Sequence, residues 1–181
     1  RRDIFMSNDR SNTTEPLTSL AGAAWLKSPA LAKVFAAFAK SSIEIRVVGG
    51  ATRNALLQKP ISDIDLATPA RPEVVMQIAT SAGLAVHPTG IDHGTVTVVA
   101  DGVPFEVTTL RRDVETDGRR AAVAFTDTWL EDAMRRDFTI NGLFSDPLAH
   151  RVVDYVGGQA DLAARVIRAI GDPRRRFAED K

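Results

Sequence analysis

The chain contains no cysteine. That absence removes disulfides, thiolate metal ligands and a cysteine nucleophile in one step, and it fits a cytoplasmic setting. Excess charge of either sign is missing too: 23 Lys and Arg face 23 Asp and Glu, for a formal net charge of zero. A protein that grips nucleic acid along a long footprint is usually basic overall. Any such contact here must come from local clusters, namely Arg111–Arg112, Arg119–Arg120, Arg135–Arg136 and Arg174–Arg175–Arg176, or from further chain. No apolar run approaches the roughly 20 residues needed to cross a bilayer, so no membrane role is expected. The N-terminus lacks the pattern of a secretion signal. Met6 reads as a native start, which leaves Arg1–Phe5 outside the fold reading. What remains is 181 residues, 44% of them hydrophobic, enough for one ordinary domain with a core.

The pattern along the chain is α+β. Residues 1–27, polar over 7–18, read as a flexible arm. "SPALAKVFAAFAK" (28–40) predicts a helix capped by Ser28, with Pro29 in its first turn and Leu31, Val34, Phe35 and Phe38 on one face. "IEIRVV" (43–48) predicts a strand, broken by Gly49–Gly50 before a short helix over 51–58. Another strand follows over 61–67 and a helix over 71–83, with Gly83 past its end. "TVTVVA" (95–100) and "VPFEVTTL" (103–110) flank Asp101–Gly102, a two-residue hairpin signal. Residues 111–126 read as a mobile loop. "TWLEDAMRR" (128–136) predicts a helix with a Thr128–Glu131 capping box. A strand pair around Pro147 and a short helix complete the domain at about residue 170. Residues 171–181 then read as the truncated start of a further helix. The expected domain is therefore 28–170. A Rossmann reading would want G-x-G-x-x-G after the first strand, and "GGATRN" lacks it.

Four features carry chemistry. "SDIDLAT" (62–68) places Asp63 and Asp65 on one side of the expected strand, roughly 7 Å apart along the chain. Two aligned carboxylates repel unless a cation or protons lie between them, and their oxygens suit a hard ion such as Mg²⁺; the bland alternative is a strand end facing water. "VVGGATRN" is a strand, two glycines and a helix start, which exposes backbone N–H groups to a phosphate; Arg53 could add charge. Glu106 interrupts an apolar strand and could be a third carboxylate, completing a two-metal clamp for nucleotidyl transfer. The alternative for Glu106 is the outer face of an edge strand. "RRDFTIN" (135–141) gathers Arg136, Asp137 and Asn141, a set able to hold ribose hydroxyls and triphosphate.

In series, "VVGGATRNALL", "SDIDLAT", "HGTVTV", "FEVTTLRRD", "DGRRAAVAFT", "LEDAMRRDFTINGL" and "VVDYVGG" resemble the class II tRNA nucleotidyltransferase and bacterial poly(A) polymerase family of the polymerase β-like superfamily. The resemblance covers roughly residues 43–180. It implies a head domain with a mixed, largely antiparallel sheet of about five strands flanked by helices. The implied activity is template-independent, two-metal transfer of nucleotides from CTP and ATP to an RNA 3′ end, tRNA first among the candidates, with Mg²⁺ as cofactor. It matches Asp63 and Asp65 to the metal-binding aspartates and Glu106 to the third acid. Gly49, Gly50 and Arg53 match the triphosphate-holding turn, and Arg136, Asp137 and Asn141 the ribose and phosphate segment. Residues 113–126 match a flexible loop implicated in the switch from C to A addition.

Two departures stand out. The family turn commonly reads Arg-Asp where this chain has Arg53–Asn54. "FAEDK" (177–181) matches the opening of the base-reading E-D-x-x-R segment, so Asp180 is a candidate nucleotide ligand, while the Arg would fall beyond Lys181. CCA addition and poly(A) addition share all these motifs. A non-catalytic nucleotide- or RNA-binding module is the alternative of a different class, and it should have lost one of the three acids.

Overall fold

The computed structural model describes residues 13–16, 20, 24–114, 122–147 and 151–172. In chain order the strands are β1 (Thr13–Pro16), β2 (Arg46–Val48), β3 (Asp65–Thr68), β4 (Ala85–Gly90), β5 (Thr95–Ala100), β6 (Val103–Thr109), β7 (Arg111–Val114), β8 (Ala122–Phe125), β9 (Leu143–Asp146) and β10 (Arg151–Asp154). The helices are α1 (Pro29–Lys40), α2 (Gly50–Leu56), α3 (Pro72–Ser81), α4 (Trp129–Met134) and α5 (Gly158–Ala164). Eight strands form one sheet in the order β1-β10-β9-β2-β3-β6-β5-β4, and β7 pairs with β8 apart from it. The β3–β6 pairing is parallel.

Local chemistry accounts for these elements. Ser28 Oγ accepts the Leu31 N–H at 3.3 Å and caps α1, while Leu31, Val34, Phe35 and Phe38 form its buried stripe. Asp101 and Gly102 both have positive φ, 51° and 77°, as a two-residue hairpin between β5 and β6 requires. Val96, Val98 and Ala100 alternate inward on β5, and Phe105 and Val107 on β6. Full burial of side chains this size stabilises by about 1.5–3 kcal/mol each.

Two apolar layers sandwich the sheet. Val47, Leu66, Val96, Val98 and Val107 join α1 and α3 on one face. Val48, Ala67, Leu110, Phe144 and Val153 join Trp129 and Ala133 of α4 on the other. Strand alternation divides the neighbours Val47 and Val48, and likewise Leu66 and Ala67, between the layers. The second face holds the cleft described below, over β3 and β6.

The expected mixed α+β sheet is present, but it has eight strands rather than about five. β1 lies inside the stretch read as a flexible arm and pairs with β10, satisfying that strand's outer backbone groups. Leu20 and Trp25, also within the expected arm, are buried in the first core. β3 starts only at Asp65, so residues 61–64 are not part of the expected strand. The stretch read as a mobile loop begins and ends as the β7–β8 ribbon, Arg111 opposite Phe125; residues 115–121 between them lie outside the described residues. The capping box is also replaced. Glu131 accepts from the Thr126 hydroxyl, and Thr126 Oγ1 accepts the Thr128 N–H at 3.1 Å, so Thr126 closes this turn. The expected start of a further helix after residue 172, with Asp180, also lies outside the described residues.

Candidate active site

β2 ends at Val48, and the chain turns through Gly49 into α2. Gly49 has φ +69°, a conformation that L side chains rarely adopt, and its N–H donates to the Leu143 carbonyl at 3.0 Å. A Cβ at Gly49 would lie 3.9 Å from Arg136 Nη1 and 3.8 Å from the Asn141 carbonyl oxygen. The turn thus brings the "GG" and "RRDFTIN" stretches together across 80-odd residues of sequence, counted from Gly49 to Arg136. α2 is only seven residues long, so charge at this turn comes chiefly from guanidinium groups rather than from a helix dipole.

Arg53 lies one turn into α2. Its Nη1 donates to Asn141 Oδ1 at 2.6 Å, and its Nε donates to Asn54 Oδ1 at 3.1 Å. Asn141 Nδ2 in turn donates to both oxygens of Asp137, at 3.0 and 3.2 Å. A relay therefore runs Asp137–Asn141–Arg53–Asn54. Both hydrogen-bond partners of Arg53 are neutral amides, which orient the guanidinium without cancelling its charge.

The carboxylates meet on the sheet. Asp65 on β3 is in register with Glu106 on β6. β6 lies between β3 and β5, so Glu106 is on an interior strand and not on a sheet edge. Its side chain is exposed while Phe105 and Val107 beside it are buried. Burial, then Glu106, then Asp63 push the Asp65 carboxyl above its usual range, with Arg136 offsetting part of the effect. Asp63 is exposed, precedes the strand, and accepts a hydrogen bond from Ser62 Oγ at 2.8 Å. It stands close enough to Asp65 to act on it electrostatically, but it does not line the cleft.

That cleft has a volume of about 440 Å³. Gly49, Gly50, Arg53, Asp65, Glu106, Arg136, Asp137 and Asn141 all line it, which unites the predicted residues apart from Asp63 and Asp180. Two further charged residues line it, Asp132 and Arg111, neither of them among the expected site residues, Arg111 having figured only in a basic pair. Asp132, 2% exposed, accepts from Arg136 Nε and Nη2 at 3.2 and 2.8 Å and from the Arg111 backbone N–H at 3.0 Å. The i, i+4 spacing of Asp132 and Arg136 is its sequence signal. Arg111 donates through Nη1 to the His93 carbonyl at 3.2 Å, and no sequence signal separates it from a surface arginine. Burial, followed by the nearby Arg135, lowers its pKa from the ordinary arginine value.

The 137–141 segment is braced from behind. Asp161 Oδ2 accepts from Thr139 Oγ1 at 2.7 Å and from Arg168 Nε at 3.0 Å. Ile170 N–H donates to the Asp137 carbonyl at 2.8 Å, and Thr139 N–H to the Arg168 carbonyl at 2.9 Å. Gly158 presses on the same segment: a Cβ there would lie 2.2 Å from the Thr139 carbonyl oxygen.

Among the described residues, no three acidic or histidine side chains form a finished metal cage. The oxygen-only donors Asp65 and Glu106, with Asp63 beside them, nonetheless fit a hard divalent ion. Burial first, and then the nearby Glu106 and Asp63, raises the Asp65 carboxyl, and a cation would relieve the crowding. Mg²⁺ keeps waters and recruits substrate phosphates, so it does not need an all-protein cage.

Residues 45–168 match the family described as the poly A polymerase head domain. The mitochondrial CCA tRNA nucleotidyltransferase 1 of Danio rerio is 44% identical over 144 residues, covering 79% of this chain and 33% of that protein. The crystal structure of the Bacillus stearothermophilus CCA-adding enzyme in complex with CTP is similar at TM-score 0.72 and 36% identity, covering 84% of this chain and 36% of that one. A tRNA nucleotidyltransferase complexed with a primer tRNA and an incoming ATP analog is similar at TM-score 0.59 and 29% identity, covering 76% of this chain and 39% of that one. The chain thus spans about a third of the length of the curated relatives it matches.

Proposed function

Because the chain belongs to the poly A polymerase head domain family, we propose that it carries the nucleotidyl-transfer centre of a CCA-adding tRNA nucleotidyltransferase using CTP and ATP. The observation that carries this reading is the meeting of two opposed charge sets in one cleft, Asp65 and Glu106 on the sheet and Arg53 and Arg136 at the glycine turn. The names of the relatives supply the RNA class: CCA-adding enzymes, one of them in complex with CTP.

The roles follow from position. Arg53 and Arg136, with the turn at Gly49–Gly50, hold the triphosphate. Arg53 is oriented by Asn54 and Asn141, and Arg136 by the buried Asp132. Asp137 and Asn141 are placed to accept from and donate to ribose hydroxyls. Asp65 and Glu106, with Asp63, would hold Mg²⁺, which when bound lowers the pKa of an attacking hydroxyl and offsets charge on departing pyrophosphate. Arg53 and Arg136 line the same cleft as Asp65 and Glu106, so a triphosphate held by the arginines would lie in the cleft that the carboxylates share. Asp180 is the proposed base contact. The protein would act away from membranes in a cytoplasmic setting; no helix among the described residues is long and apolar enough to cross a membrane.

Incorporation on tRNA lacking its 3′ end tests the proposal, with CTP plus ATP set against ATP alone. A defined CCA product supports it. A homopolymer of A from ATP alone would favour the poly(A) reading, and no incorporation at all would favour the non-catalytic module.

A further inference from the structure

Asn54 directly follows the turn arginine Arg53, and the structure shows what its amide does that a carboxylate could not. Asn54 Oδ1 accepts from Arg53 Nε at 3.1 Å. Asn54 Nδ2 donates to the Pro60 carbonyl at 3.0 Å. Reversing the amide would set NH₂ against the Nε–H and oxygen against the carbonyl, so one orientation alone satisfies both partners. An aspartate has no proton to give Pro60 and would pair its charge with Arg53.

The loop that Asn54 holds matters because Asp63 lies outside β3. No strand ladder sets its position. The Asn54 carbonyl also accepts the Lys59 N–H at 2.8 Å, so the loop is tied to Asn54 at two successive residues, Lys59 and Pro60. Asp63 follows three residues after Pro60, with Ile64 then packing against the core.

Resting on the nucleotidyl-transfer reading above, we propose that Asn54 is a positioning residue: one amide aims an uncancelled Arg53 at the triphosphate site and ties down the loop that delivers Asp63. It couples the phosphate-holding turn to the carboxylate set without touching substrate.

The test compares Asn54→Asp and Asn54→Ala with the unsubstituted protein by three measurements. These are CTP titration by calorimetry in Mg²⁺, hydrogen exchange over residues 57–65, and Tm. Both variants should exchange faster over 57–65 and bind CTP about tenfold more weakly. Tm should stay nearly unchanged, because the amide is only half-buried. Asn54→Asp is the decisive variant, since it preserves size and an acceptor for Arg53 while losing the Pro60 tether and adding charge. CTP binding at the unsubstituted affinity in Asn54→Asp overturns the inference, as does unchanged exchange in both variants. If the unsubstituted protein binds no CTP, the proposed function falls and this inference falls with it. If it binds and Asn54→Asp matches it, only this inference falls.

Discussion

Asp65 stands opposite Glu106 across β3 and β6, the parallel pairing of an otherwise antiparallel set of described strands. Parallel neighbours cannot be joined by a hairpin, and here α3, β4 and β5 intervene in sequence. The crossover brings together two acids 41 positions apart, counted from Asp65 to Glu106.

The burial of Asp65, together with the nearby Glu106 and Asp63, has a thermodynamic sign. The folded-state pKa of Asp65 is raised above the ordinary aspartate value of 3.8. Its contribution is therefore fully present below that value and is lost as pH rises through the raised folded value. At pH 7, without divalent ion, the ionised carboxyl is a cost. Asp65→Asn should leave the metal-free protein at least as stable, with a Tm gain on the order of a degree, kept small because the carboxyl is only partly covered and solvent still screens it. The same variant should lose nucleotide incorporation. A clear drop in Tm, or near-normal incorporation, would count against the assignment.

Arg53 and Asn141 share one hydrogen bond of 2.6 Å and should behave as a unit. Arg53→Ala is expected to raise the KM for nucleotide by about 10- to 100-fold, the loss of a charge-assisted phosphate contact. Asn141→Ala should raise it less. The double variant should be little worse than Arg53→Ala, which steady-state kinetics on the four proteins of the cycle would establish. Additive losses would show that the two residues act separately.

Gly158→Ala probes the brace behind the 137–141 segment. With 2.2 Å between the new Cβ and the Thr139 carbonyl oxygen, backbone must move, at a cost of about 1–3 kcal/mol. Denaturant unfolding should record that loss. Incorporation at a temperature well below Tm should also fall, because Asn141 is carried by the displaced segment. Unchanged stability would mean that this packing is looser than described.

Glu44 offers a pH test remote from the cleft. Burial works against its ionised form. Arg46 nearby, hydrogen bonds from Arg46 and Trp129, and then Arg151 outweigh this and hold the carboxyl below the ordinary glutamate value of 4.5. Its contribution is present above 4.5 and disappears as pH falls through the lowered folded value. Glu44→Gln should flatten that acid limb in thermal melts taken from pH 6 downward. Parallel curves for the two proteins would rule the network out as a contributor.

Much of this arrangement is legible in the sequence because it depends on local chemistry. The cap of α1, the Asp101–Gly102 hairpin, the glycine turn and the alternating β5 and β6 follow from residue type and short spacing. So does the candidacy of Asp65, Glu106, Arg53, Arg136, Asp137 and Asn141, whose chemistry is conspicuous in apolar surroundings. Tertiary structure decided the rest, because it rests on pairings between distant residues. Only the parallel register sets Glu106 beside Asp65. Only the fold closes the Asp137–Asn141–Arg53–Asn54 relay and enlists Asp132 and Arg111 in the cleft. Asp63 shows the limit of periodicity: alternation placed it on a strand, but β3 starts two residues later. Strand pairing sets that start, since Asp65 pairs with Val48 and Glu106 and residues 61–64 enter no ladder. Their order comes instead from Ile64 packing on the core and from the Asn54 tether.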